Sequence, residues 1–468
     1  MTGLDLPLYE RVAIGRLKRS DLESHMKIVC SAALLAFAST SLWATPVYHP
    51  LGTSVVYGNM SNGRTISSPI NNPAAGVSTM IKGDKVNFGV FNTIGGGVEY
   101  GTIDNLFEQI DEQVNSFYDI TTPSQISDLN QIATEIDSSV DSLNSLMAEI
   151  AAEGYGKAFV SFAIPMMPVL VSLGKNNGVL TFDMNMSAVS RAELYHSDAV
   201  FNTNNILDPN DDVSFDPNTN TYVIDNDDTL LVRGASILEL SMGYSREMLT
   251  NQYGTLSAGV RGKYYTVGLT RLNQRLADLQ NGSETVFDNI DESDYTTDSD
   301  FGVDLGAMWI GKGYHLGAAL TNINEPDFEY NDLVSINYDL TGDVYTQLAA
   351  TNIYTMQRQL QLEASFNPLF DEWVTGVSVD ANAVEDPFGD EYQWATISTA
   401  YISSNWIIPS ARVGYRANLA GQELDYITVG LTLFKVTLDL AYGLEEVKID
   451  DTKYPRSFIF NIGLDLMF

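Results

Sequence analysis

Four basic side chains, Arg261, Lys263, Arg412 and Arg416, stand at alternate positions within two strongly alternating stretches of the chain. On the inward face of a pore, such fixed positive charges would contact an anionic group. The same placement serves equally well for pairing with acidic lumen or plug residues, and both readings stand. Enzymatic chemistry has less to work with. His49, His196 and His315 lie before the first strand, beside a loop and after a tight turn, so no Ser-His-acid set or metal cluster is legible. The chain is therefore expected to be non-enzymatic, with no cofactor and no metal. Its single cysteine, Cys30, sits in an apolar leader run and does not supply a nucleophile, a thiolate site or a disulfide.

A net charge of -35 over 468 residues repels phosphate backbones, so direct nucleic-acid binding is not expected. Much of this charge falls in loops, including 195–230 with its runs at 208–212 and 225–228. These read as solvated surface. Oxygen-rich loops can also hold calcium, although the twelve-residue loop pattern with its central Gly and final Glu is not present.

The elements that would position the four basic residues are strands with a period of two. From 435 to 444, Val436, Leu438, Leu440, Tyr442 and Leu444 face one way, and Thr437, Asp439, Ala441 and Gly443 the other. Ile427, Val429, Leu431 and Leu433 oppose Tyr426, Thr428, Gly430 and Thr432 in the same manner. Fourteen such segments are counted from 85–94 and 157–173 to 434–446 and 455–468, at the length of a tilted membrane strand. Short connections at 174–178, 311–313, 367–372, 404–405 and 434–435 alternate with longer ones near 101–155, 195–230, 271–298 and 325–355. The expected fold is therefore all-β, a transmembrane antiparallel β-barrel of about fourteen strands, with both ends on the side of the short turns. Pro165 and Pro168 interrupt the second segment, where a kink or an opening in the wall is expected.

The remaining segments sort by composition. Residues 1–25 read as a start-site artefact ahead of Met26, and 26–44 as a signal peptide whose apolar run, 28–38, is too short to span a membrane as a helix. Residues 45–84 form an N-terminal lumen or plug segment and 85–468 the barrel, because unpaired backbone upstream of a barrel cannot face lipid. Apolar residues at helical spacing over 103–119 and 129–150 predict an inserted α-helical hairpin, on the outer face or folded into the mouth.

The final strand places Phe458, Phe460, Ile462, Leu464, Leu466 and Phe468 on one face and ends on that Phe. This resembles the terminal strand by which bacterial outer-membrane barrels are read by the barrel-assembly machinery. Together with Asn72-Pro73-Ala74 ahead of the barrel and the strand count, it is similar to the FadL-like transporters of hydrophobic compounds, whose N-terminal segment plugs the lumen. The chain resembles more closely the TraF-like conjugal-transfer barrels. That resemblance is carried by Thr45-Pro46 after the leader, the helical insertion, Phe301-Gly-Val-Asp-Leu-Gly-Ala-Met-Trp309 and Ala411-Arg-Val-Gly-Tyr-Arg-Ala-Asn418. It implies a Gram-negative outer-membrane location in contact with lipid, and two functions. One is a pore or carrier for a small or hydrophobic solute. The other is a structural barrel of a conjugation or surface assembly that binds conjugation-apparatus proteins through the hairpin.

Overall fold

A computed structural model describes residues 52–61, 65–80, 83–105, 129–163, 167–174, 177–198, 213–216, 221–224, 228–275, 296–330, 334–335, 352–367, 372–403, 405, 407–449 and 452–467. Its fourteen wall strands follow the chain in order. They are β1 (Val86–Tyr100), β2 (Tyr155–Ala163, resuming as Val169–Ser172), β3 (Val179–Tyr195), β4 (Thr229–Asn251), β5 (Gly254–Arg275), β6 (Thr296–Gly311) and β7 (Tyr314–Thr321). They continue as β8 (Gln359–Phe366), β9 (Trp373–Asp380), β10 (Trp394–Tyr401), β11 (Ser410–Asn418), β12 (Asp425–Leu433), β13 (Val436–Gly443) and β14 (Ser457–Met467). Every neighbour pairs antiparallel, and β1 pairs β14, so the sheet closes on itself and leaves no open edge.

The alternation read from the sequence is the alternation of the wall. Val429 is 46% exposed and Leu438 43%, whereas Thr428 and Asp439 are fully buried. Around the barrel, Val260, Leu305, Leu316, Leu362, Val377, Ile397, Val413, Ile427 and Ile462 continue this exposed apolar belt. A belt of that extent is stable only against another apolar medium. Near the short turns it meets aromatic residues: Trp309 donates through Nε1 to the Tyr314 hydroxyl at 3.2 Å, and the Trp373 and Tyr401 rings lie 5.7 Å apart. Rings at that level match an interfacial girdle. Replacing Val429 by Lys should cost about 2–4 kcal/mol if this belt faces lipid. Urea unfolding in lipid vesicles measures it, and an unchanged midpoint would place Val429 in water.

The wall is irregular where the prolines predict it. Ala163 pairs with Asn185 and Val169 with Phe182, so β2 carries more chain than β3 across the break. β1 is also bulged there, between Gly89 and Ile94 along β14. Pro168 offers only its carbonyl, which accepts the Gly89 N–H at 3.4 Å. Behind the break, Ile66, Leu170 and Val179 form a buried apolar cluster with Val77 and Met80.

Outside the wall, α4 (Leu129–Glu153) buries Val140, Leu146, Met147 and Ile150. Ile150 and Met147 join Ile103 and Leu194 in one cluster, so the helix docks on the barrel rim at the end of β3. The expected first helix of the hairpin needs correction at its start. Ile103 lies in a non-helical turn, where Asp104 Oδ1 accepts the Lys448 N–H at 2.8 Å and draws the chain toward the last hairpin loop. The rest of that helix, 106–119, lies outside the described residues, as do 1–51, His49 and Phe468.

Candidate functional site

The N-terminal segment runs through the inside of the barrel as short helical turns: α1 (Ser54–Tyr57), α2 (Ser68–Asn71), a 3-10 turn (Pro73–Ala75) and α3 (Gly76–Thr79). Asn72 and Pro73 explain the turn. Asn72 is extended and accepts the Ala74 N–H through Oδ1 at 3.0 Å, while Pro73 supplies the fixed φ of a first helical position. Asn72 is 1% exposed and its Nδ2 donates to Glu363 Oε1 at 3.0 Å. The carboxylate of Glu363 on β8 also accepts the Ser61 N–H and, at 2.9 Å, the Ser61 hydroxyl, and lies 3.5 Å from His315 Nε2. One wall carboxylate thus gathers two separated parts of the segment.

The wall is glycine where this backbone comes closest. A Cβ at Gly259 would overlap the Pro73 carbonyl, and one at Gly306 would meet Asn72 Oδ1 and the Ala74 nitrogen. Neither position is at a turn, so close approach of another chain is the reason for each glycine. Gly306→Val should therefore force Asn72-Pro73-Ala74 off the wall while leaving the barrel itself folded. Limited proteolysis from the short-turn side should then cut within 54–80, and continued protection would refute the contact.

Arg261, Lys263, Arg412 and Arg416 all point into the interior, and three of them are ion-paired there, Arg261 and Lys263 sharing one carboxylate. Arg261 binds Asp304 Oδ2 through Nε at 2.9 Å and Nη2 at 2.6 Å, and its Nη1 donates to the Ile70 carbonyl of the N-terminal segment at 2.6 Å. Lys263 Nζ lies 2.8 Å from the other oxygen of Asp304. Arg412 Nε meets Asp439 Oδ1 at 2.5 Å. Arg416 differs. It stacks on Trp394 at 3.8 Å and donates to the Ser54 carbonyl at 3.2 Å, and among the described residues its Nε has no hydrogen-bond partner. Pairing with acidic residues and plug carbonyls therefore accounts for most of this charge.

The outer half of the interior is largely aromatic. Phe159, Tyr265, Phe328, Tyr354, Phe388, Tyr392, Trp394 and Tyr426 belong to one buried apolar cluster, much of it delivered by connections rather than strands. The hairpin Val384–Glu385 with Glu391–Tyr392 turns into the mouth and places Phe388 there, 5% exposed. Three cations of the facing wall hold it. Lys157 pairs with Asp386 and, at 2.7 Å, with Asp390 and the Tyr392 hydroxyl. Arg191 pairs with Asp390, and the Arg233 guanidinium lies over the Phe388 ring at 5.3 Å. Burial raises the Asp386 carboxyl above the usual carboxylate range against the pull of Lys157. At Asp390 burial also pushes upward, but Lys157 and Arg191 outweigh it and hold the group well below that range. No strand periodicity marks these loop residues; an aromatic inside the acidic run Glu385-Asp-Pro-Phe-Gly-Asp390 is the one signal the sequence carries.

The two described histidines do not converge. His196 hydrogen-bonds Asp228 at 2.7 Å and Asp198 at 3.0 Å at the rim, while His315 contacts the Ser365 hydroxyl at 2.8 Å near a short turn. The acidic runs 208–212 and 225–227 lie outside the described residues. In the terminal strand, Phe460 and Ile462 face outward, 41% and 45% exposed, with Phe458 and Leu464 half-buried beside them.

Wall, N-terminal segment and mouth hairpin define a fourteen-stranded β-barrel whose interior is occupied by its own chain. The chain belongs to the family described as F plasmid transfer operon TraF protein, whose model matches residues 69–380. No curated protein matches it. Similar solved structures include the P. putida toluene transporter TodX, at 13% identity over 90% of this chain and 97% of that one, with a TM-score of 0.39. The Ralstonia pickettii toluene transporter TbuX is 10% identical over 87% and 97% of the two chains, with a TM-score of 0.36.

Proposed function

We propose that this protein is a non-enzymatic outer-membrane pore or carrier for a small, hydrophobic solute. The observation that carries the reading is the buried aromatic cluster at the mouth, formed by Phe328, Tyr354, Phe388, Trp394 and Tyr426 inside a wall whose outer face is apolar. A solute entering from the long-loop side would replace Phe388 against these rings and gain the same burial. The plug, pinned by Glu363 at Asn72 and Ser61, closes the route below. The apolar cluster of Ile66, Leu170 and Val179 behind the broken strand offers the next surface of matching polarity. Arg416, the one candidate contact without an ion-pair partner among the described residues, would receive an anionic group beside Trp394 at the mouth.

Proteoliposomes test this: a small apolar fluorophore should enter faster than a sugar of equal size, and Phe388→Asp should abolish the difference. Equal rates for the two probes would reject the hydrophobic route. The family description supports a second reading, an interaction barrel in plasmid transfer. Deleting 103–150 separates the two, since lost partner co-purification with unchanged uptake would favour the assembly role.

A further inference from the structure

Among the described residues, buried polar side-chain atoms without a hydrogen-bond partner include two groups on opposite walls. On β10–β12 they are hydroxyls around Arg416, packed under α1. On β3 and β4 the second group is three acceptor oxygens, those of Asp183, Asn185 and Glu239. We propose that Asp183, Asn185 and Glu239 form a binding site for a hard metal cation inside the barrel. Their relative exposures are 3%, 2% and 4%. Asp183 Oδ1, Asn185 Oδ1 and Glu239 Oε1 each have no hydrogen-bond partner among the described residues.

Register brings them together. Asn185 stands directly opposite Glu239, and Asp183 follows two positions along the same inward face, opposite Ser241. The Asn185 amide nitrogen donates to the other oxygen of Asp183, which leaves the Asn185 carbonyl oxygen as a third acceptor beside two carboxylates.

Charge gives the reason for a cation. The neighbouring strands β5 and β6 add Arg261, Lys263 and Asp304, so three buried carboxylates share two cations. Both cations already serve Asp304, while Arg261 also holds the Ile70 carbonyl and Lys263 the Asn322 amide oxygen. A buried carboxylate left without a counter-charge is strongly unfavourable, and an all-oxygen donor set selects sodium- or calcium-like ions over soft metals. Toward the short-turn end the hydroxyls of Thr79, Ser245 and Ser257 also lack hydrogen-bond partners among the described residues.

Tyr265, whose Cα pairs with that of Glu239, provides the readout. In the purified full-length barrel, terbium should show luminescence excited through Tyr265 and displaced by calcium or, at higher concentration, by sodium. Glu239→Gln and Asp183→Asn should each weaken terbium binding by at least about tenfold. Asn185→Ala serves where a carboxylate variant does not fold and should weaken it likewise. Tyr265-sensitised binding that survives all three substitutions, or is missing from the wild type, overturns the site. So does a protonated-carboxyl infrared band in the wild type that disappears in Glu239→Gln, since a proton would then fill the place of the metal.

Discussion

Asparagine in place of Asp304 is expected to destabilise the barrel by about 3–5 kcal/mol, the range for breaking a buried ion pair by removing one partner. Asp304 is fully buried and its two oxygens serve Arg261 at 2.6 Å and Lys263 at 2.8 Å, while Oδ1 also accepts the Asn322 N–H at 2.9 Å. The amide keeps the shape but not the charge, so two buried cations would lose their shared counter-ion. Arg261 would also loosen its hold on the Ile70 carbonyl, which ties β5 to the plug. The temperature at which the compact band converts to the unfolded one on a gel, together with urea unfolding in detergent, measures the loss. An unchanged transition would mean that these cations are solvated.

The second large effect is expected at the mouth. Lys157→Met removes the cation shared by Asp386, Asp390 and the Tyr392 hydroxyl, leaves Asp386 buried without its ion-pair partner and leaves Asp390 to Arg191 alone. A loss of about 3–5 kcal/mol from the closed arrangement shifts the closed-to-open ratio on the order of a hundredfold or more. The 384–392 hairpin should then become cleavable by added protease, with a matching rise in open-channel time in planar bilayers. The pH response follows from the two carboxyls. Because Asp390 is depressed, its contribution to closure is complete above the ordinary aspartate value, about 3.9, and is lost only as pH falls further. Asp386 is raised and takes up its proton first, which favours closure rather than opening. Closure should hold through mildly acidic pH and fail only below the carboxylate range. Opening at pH 5–6 would show that another group controls the mouth.

The wall was legible because each strand separates two solvents. Val429 beside Thr428, or Leu438 beside Asp439, records that separation residue by residue. β1 shows where this signal stops: the expected segment ended at 94, yet the strand runs to Tyr100 through Gly95-Gly96-Gly97. Glycines carry no alternation. They are required because the Phe159 ring and the Phe458 carbonyl occupy the space a Cβ at Gly97 would need. The four basic residues could be placed on the inward face from the same pattern, but their partners could not. Asp304 and Asp439 belong to other strands, and register alone decides which carboxylate each cation meets. The mouth was least legible. Phe388 and Asp386 are recruited by Lys157 across the barrel, a contact between residues more than two hundred positions apart that no local pattern encodes.

Single-channel conductance of the full chain beside that of a chain lacking residues 54–80 tests most directly whether this is a membrane pore closed by its own plug. The full chain should insert and show rare, small openings, and the deletion should show large, steady ones. Equal conductance in both would contradict the plug, and failure of either to insert while folded and water-soluble would contradict the pore itself.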